Sequence, residues 1–123
     1  EEEAFGIAAG LYLGGVRPVV MLQSSGLGNS INGLASLNVA FEIPVLMLIT
    51  MRGGDGEWNP TQYPMGLAVR PILDALGIPY VTIESDDKAE SQVRQAGAQA
   101  FAAHRPGACL LARKLWSPAK AAS

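Results

Sequence analysis

Short continuous apolar runs alternate along this chain with longer segments whose apolar residues recur at helical spacing. Glu1 to Leu13 is Ala-rich with acids at its front, which predicts a helix whose N-terminal dipole favours those charges. Pro18 to Leu22 (PVVML) predicts a strand covered on both faces. Gln23 to Asn29 is rich in Gly, Ser and Asn and predicts a turn. Ser30 to Phe41 predicts a helix with Ile31, Leu34, Leu37 and Phe41 on one face. Pro44 to Thr50 (PVLMLIT) predicts a second buried strand, and Met51 to Tyr63 a loop. Met65 to Leu76 predicts a helix ended by Gly77, with Pro79 following. Tyr80 to Ile83 predicts a third, partly alternating strand. Asp86 or Asp87 can cap a helix running to about His104. Arg105-Pro106-Gly107 is a turn signal, Ala108 to Ala112 a last strand, and the tail from Ser117 is expected to fray.

Strands that alternate with helices argue for an α/β fold, a parallel sheet flanked by helices. In such sheets ligands sit outside the carboxyl ends of the strands. Two segments there carry unusual chemistry, Gln23 to Asn29 and Thr50 to Gln62.

Composition narrows the class. The 123 residues have the size of one domain, and 49% hydrophobic against 16% charged suits a buried core rather than a disordered chain. A formal net charge of -2, with basic residues scattered apart from Arg113-Lys114, gives no electrostatic case for nucleic acid or an anionic membrane. The single cysteine, Cys109, excludes an intrachain disulfide framework and fits a reducing, cytoplasmic compartment. No apolar run reaches the roughly 20 residues that span a bilayer. The abrupt opening Glu1-Glu2-Glu3, without Met, reads as the start of a fragment.

The candidate motifs each have a plain structural alternative. Gly26-Leu27-Gly28 follows a strand, but a dinucleotide fingerprint needs a third glycine where Ile31 stands and an acid where Thr50 stands. A tight turn, or close approach of a flat ligand to the backbone, explains the glycines as well. Gly54-Asp55-Gly56 resembles the start of a diphosphate-binding signature, yet no Asn follows Asn59, so it reads as a turn; Asp55 and Glu57 alone are too few oxygens for a hard cation. His104 stands at a predicted helix end, where a cation suits the dipole. One His and one Cys make neither a zinc site nor a nucleophile pair. Ser24 and Ser25 have no base in view. Glu1, Glu2 and Glu3 read either as a solvated helix start or as carboxyls at the mouth of a ligand pocket, where an apolar wall would raise a pKa.

A family resemblance follows from these residues. Glu1-x-x-Ala4, Ala8-Ala9-Gly10 and the strand Val19 to Leu22 resemble the pattern of pyrimidine-binding domains in thiamine diphosphate enzymes. Ser25-Gly26-Leu27-Gly28-x-x-x-Asn32 resembles that superfamily's Gly-Pro-Gly loop, with Leu27 in place of Pro. More narrowly, Met21 to Asn32 and Leu34-Ala35-Ser36-Leu37 resemble sulfopyruvate decarboxylase α subunits and phosphonopyruvate decarboxylases. Arg52-Gly53, Gln62, Met65-Gly66 and Leu73 to Tyr80 continue the likeness.

The resemblance implies a single pyrimidine-binding domain over residues 1–123, lacking its first strand-helix-strand. It implies thiamine diphosphate and Mg2+ as cofactors, the metal held mainly by a partner. It makes Glu1 the carboxyl that exchanges a proton with the cofactor's aminopyrimidine, by register three before Ala4 and nine before Gly10. Gln23, Ser25, Gly26, Leu27, Gly28 and Asn29 are expected against the pyrimidine, with Gln23 and Asn29 as polar contacts. Arg52 and Gln62 are expected at the substrate, Arg52 on a sulfonate; the plain alternative for Arg52 is an ion pair with Asp55 or Glu57. A diphosphate-binding β subunit or domain is implied as partner in a hetero-oligomer. The expected reaction is decarboxylation of sulfopyruvate to sulfoacetaldehyde, with phosphonopyruvate as the alternative substrate. A nucleotide-binding regulatory module and a non-catalytic scaffold remain as alternatives from other classes.

Overall fold

The computed structural model describes residues 1–116. Four parallel strands form one sheet in the order β1-β2-β4-β3: β1 (Val19–Gln23), β2 (Leu46–Thr50), β3 (Tyr80–Ile83) and β4 (Gly107–Leu111). Helices α1 (Glu2–Leu13), α2 (Ser24–Gly33), α3 (Tyr63–Ala75) and α4 (Asp86–Ala102) connect and flank them. The expected α/β architecture is therefore present, with helices on both faces. No helix among the described residues is long and apolar enough to cross a membrane. The tail expected to fray lies outside the described residues.

The two faces have separate cores. Phe5 and Ala8 of α1, Leu27 of α2 and Val69 and Leu73 of α3 close over Val20, Leu22, Met47, Ile49 and Leu110. On the other face α4 sets Ala89, Val93 and Ala96 against Leu46, Ile83 and Cys109. The central strands β2 and β4 are covered on both sides, which is why they read as unbroken apolar runs. Strand β1 departs from expectation. Val20 and Leu22 are buried, but Val19 and Met21 are 50% and 74% exposed, because α4 stands over β2, β4 and β3 and leaves this edge bare.

The expected turn at Gln23 to Asn29 is a helix. α2 starts at Ser24, directly after β1, and its chain runs on without a break as a wider π-helical segment, Leu34–Val39. The face expected to be buried is also rotated. Leu27, Ser30, Leu34 and Asn38 point inward, whereas Phe41 is 71% exposed. Both buried polar residues donate to the backbone, although Asn38 Oδ1 has no partner among the described residues. Ser30 Oγ donates to the Gly26 carbonyl at 2.7 Å, and Asn38 Nδ2 donates to the Ile43 carbonyl at 3.3 Å. A hydrophobicity pattern counts such residues as outward-facing. Gly77 does end α3, in a left-handed conformation with φ +66°, and Ile78 N–H donates to the Leu73 carbonyl at 2.9 Å. Helix α4 begins after Ser85, with Asp86 and Asp87 in its first turn.

Candidate active site

Parallel pairing brings the ends of β1, β2 and β4 side by side, since Gln23 is level with Thr50 and Thr50 with Leu111. Buried Ser24 stitches two of these ends together. Its Oγ accepts from Arg52 N–H at 3.0 Å and donates to the Thr50 carbonyl at 3.3 Å. The serine that lacked a base in the sequence is a structural tie.

One group of residues gathers at the mouth of α1. Glu1 is exposed and caps the helix without a side-chain bond to it. Asn29 Nδ2 donates to Glu1 Oε2 at 3.3 Å. Gly26 lets the two helices meet there: a methyl group on it would come within 2.8 Å of Glu1 Cγ and 3.2 Å of its Oε1. The Glu1 carboxyl thus lies against α2, held by one amide and open to solvent. The expected apolar wall is not supplied by the described residues of this chain.

A second group centres on Glu57, whose side chain is wholly inaccessible. Five donors converge on it. Arg52 presents Nε at 2.7 Å and Nη2 at 2.9 Å, and Arg113 presents Nη1 at 3.1 Å. The N–H groups of Gly53 and Asn59 complete the set at 3.2 and 3.0 Å. The hydrogen bonds from Arg52 hold this carboxyl well below the ordinary carboxylate range, with help from the Asn59 and Gly53 N–H groups and against the effect of burial. The same pairing raises Arg52. Of the two pairings open to Arg52 as plain ion pair, the fold forms the one with Glu57; Asp55 is exposed and belongs to the tight turn in which Glu57 N–H donates to the Gly54 carbonyl.

Arg52 Nη1 also donates to Gln23 Oε1 at 3.2 Å, and Gln23 Nε2 donates to Ser25 Oγ at 2.6 Å. Gln23 and Ser25 therefore extend the Glu57 group to the start of α2. Gln62 follows in the returning loop, with its Oε1 buried and without a partner among the described residues. Leu27 departs from the expected site, for its side chain is fully buried in the core. Gly28 lies against Met65 of α3.

Two participants were not legible in the sequence. Arg113 reaches Glu57 from 56 residues away and marks itself only as half of a basic pair. Trp116 lies under both guanidinium groups, 5.1 Å from Arg113 and 5.9 Å from Arg52. His104 is remote, at the opposite end of the sheet, with Nδ1 3.1 Å from the Tyr12 hydroxyl. Cys109 sits in the core, where burial pushes its thiol up to about 11, so it carries no thiolate near neutral pH.

Glu57 predicts an acid response. Its carboxyl is held below the ordinary value of 4.5, so its contribution to stability is complete above that pH and falls as the pH drops below it. Between pH 7 and pH 3.5 the urea midpoint of the wild-type protein should fall further than that of Glu57→Gln. Parallel falls in the two proteins would show that the carboxylate is not the acid-sensitive group.

No family model matches the chain. It is 40% identical over 116 residues to sulfopyruvate decarboxylase subunit alpha of Methanocaldococcus jannaschii, a match covering 94% of this chain and 69% of that one. The chain belongs to the sulfopyruvate decarboxylase α-subunit family. A longer relative, sulfopyruvate decarboxylase of Methanosarcina acetivorans, is 39% identical across 94% of this chain, which spans 30% of its length. Phosphonopyruvate decarboxylase of Streptomyces viridochromogenes is 37% identical over 106 residues, covering 85% of this chain and 26% of the relative. Membership of the α-subunit family agrees with the likeness read from Met21 to Asn32.

Proposed function

We propose that this chain is the pyrimidine-binding subunit of a thiamine diphosphate-dependent decarboxylase that converts sulfopyruvate to sulfoacetaldehyde and carbon dioxide. The observation that carries this reading is the Glu1 carboxyl at the mouth of α1, braced by Asn29 and lodged against Gly26, in a chain of this family.

The residues present suit the cofactor's pyrimidine. Gly26 leaves no side chain between α2 and the Glu1 carboxyl, and the carboxyl keeps an open side toward which a flat ring can pack. When bound, thiamine diphosphate supplies an electron sink that lets a 2-oxo acid lose its carboxyl group. Glu1 is the residue that would hold, and could exchange, a proton with a nitrogen of that ring. Asn29 Nδ2 fixes Glu1 Oε2 and so aims the other oxygen. Gln23 and Ser25 offer polar edges beside this position, and the backbone of Gly26 to Gly28 offers a close wall. Arg52, preset by Glu57 and Gln23, turns a guanidinium toward an acidic substrate, with Gln62 at the same loop.

The diphosphate and Mg2+ require a partner β subunit or domain, since the Gly54-Asp55-Gly56 segment is only a turn. Relatives named as alpha subunits support a separate partner, and the much longer Methanosarcina relative supports a joined one. A partner would also close Glu1 from water, where the described residues leave it open. The Streptomyces relative favours a second substrate, phosphonopyruvate, which differs in one charged group.

The test is carbon dioxide release from sulfopyruvate and phosphonopyruvate side by side, using the chain co-expressed with its partner. Sulfopyruvate turnover that is lost on omitting thiamine diphosphate or the partner is the expected result. Preference for phosphonopyruvate would reassign the substrate, and no turnover of either acid would overturn the reading.

A further inference from the structure

A cavity of about 500 Å³ opens beside the Glu57 cluster, between the ends of β3 and β4 and the start of α3. Arg52, Gly53, Gly66, Arg70, Arg113 and Lys114 line it. Asp55 and Glu84 also reach it, and Lys114 already holds Glu84 at 3.1 Å. With Glu57 beneath, four cations face three carboxylates, which leaves the cavity one positive charge in excess. Two of the cations have donors to spare. Arg70 is exposed and makes a single bond among the described residues, Nη2 to Thr82 Oγ1 at 3.1 Å. Arg113 is the more telling case. Its side chain is 9% accessible, Glu57 takes only Nη1, and its Nε–H is buried with no partner among the described residues. The Nη2 group, which bonds to nothing among the described residues, is the Arg113 donor left for an incoming acceptor.

From these positions we propose that the cavity is an oxoanion site, with Arg113 and Arg70 as its ligands and Glu57 as the residue that positions Arg113. Glu57 and the Trp116 ring hold the Arg113 fork from below and from one face, so the guanidinium plane is set before any ligand enters. A planar fork paired with a second, freer arginine matches a tetrahedral group such as a sulfonate, a phosphonate or sulfate. The cavity has room for a three-carbon acid carrying such a group. In its substrate form the inference rests on the decarboxylase reading, with the sulfonate of the 2-oxo acid as occupant; in its free form the occupant is an inorganic oxoanion.

The experiment is direct binding by calorimetry to the co-expressed holo complex, with sodium sulfate and 3-sulfopropanoate as probes. Arg113→Gln and Arg70→Gln are compared with wild type, and circular dichroism confirms that each folds. Both probes should bind the wild type. Arg113→Gln should weaken them by about tenfold or more and Arg70→Gln by roughly fivefold, as expected for loss of a charge-assisted bond. Sulfate inhibition of sulfopyruvate turnover that is competitive with the substrate and lost in Arg113→Gln would assign the site to the substrate's own acid group. Arg113-dependent sulfate binding that leaves the half-saturation for sulfopyruvate unchanged would assign it to a free oxoanion. Unchanged affinity for both probes in both variants would overturn the site. Should Arg113→Gln fail to fold, Arg70→Gln decides alone, because Arg70 is exposed and lies outside the Glu57 cluster. Binding does not require turnover, so the outcomes separate cleanly. Arg113-dependent binding in an inactive complex would remove the decarboxylase reading and keep this site, while turnover with unchanged binding would do the reverse.

Discussion

Glu1→Gln is expected to lower carbon dioxide release by about 10²- to 10⁴-fold, the range for losing a positioned proton-transfer group. The amide keeps the shape of the carboxyl and can still meet Asn29, but it could not serve in the proton exchange proposed for Glu1. The fold should be indifferent, because Glu1 is exposed and its side chain makes no capping bond to α1. Turnover should therefore fall while the thermal midpoint holds. Steady-state kinetics on the co-expressed complex, read beside a melting curve, separates these effects. Glu2→Gln is the informative companion, since Glu2 lies against Gly33 rather than Gly26. Equal turnover in Glu1→Gln and wild type would leave the chain a scaffold.

Gly66→Ala is expected to destabilise the chain by about 3 kcal/mol or more, beyond the usual cost of overpacking. Gly66 is buried at the start of α3, where the helix crosses the Arg52-Gly53 backbone. A methyl group there would strike the Arg52 carbonyl oxygen and come within 2.6 Å of its carbon and 3.1 Å of Gly53 N. Backbone cannot step aside as a side chain can, so either α3 lifts or the Arg52 segment shifts. Both responses pull Gly53 N–H and the Arg52 fork away from Glu57, and the variant should lose oxoanion binding along with stability. Gly6→Ala is the control. Gly6 is exposed in α1 with nothing within 4 Å of the added carbon, and alanine there should stabilise by up to about 1 kcal/mol. Denaturant unfolding of the two variants tests the contrast. A Gly66→Ala midpoint equal to wild type would mean that the close approach is not rigid.

Much of the candidate site is contiguous in sequence. The family resemblance sets Glu1 by register to Ala4 and Gly10, and Gln23 to Asn29 follow a strand directly. What misled was local composition. Ser, Gly and Asn at the end of β1 describe a turn by propensity, yet the segment is helical because Leu27 is drawn into the core and Ser30 bonds back to the Gly26 carbonyl. The role of Arg52 was visible only as two alternatives. Its pairing with Glu57 leaves a prearranged guanidinium with further N–H groups, so the ion pair and the substrate role are compatible.

The order of strands and helices, the parallel sheet, the end of α3 at Gly77 and the family likeness all follow from the sequence, because periodicity, turn chemistry and motif register are local properties. The bare face of β1, the inward face of α2 and the meeting of Arg113 with Glu57 were decided by tertiary structure alone. Each depends on which strands lie side by side. The order β1-β2-β4-β3 places Arg113, at the end of β4, next to the loop that follows β2, and it leaves β1 beyond the reach of α4. Burial then selects the charge pattern, since a carboxylate as enclosed as Glu57 persists only where converging donors surround it.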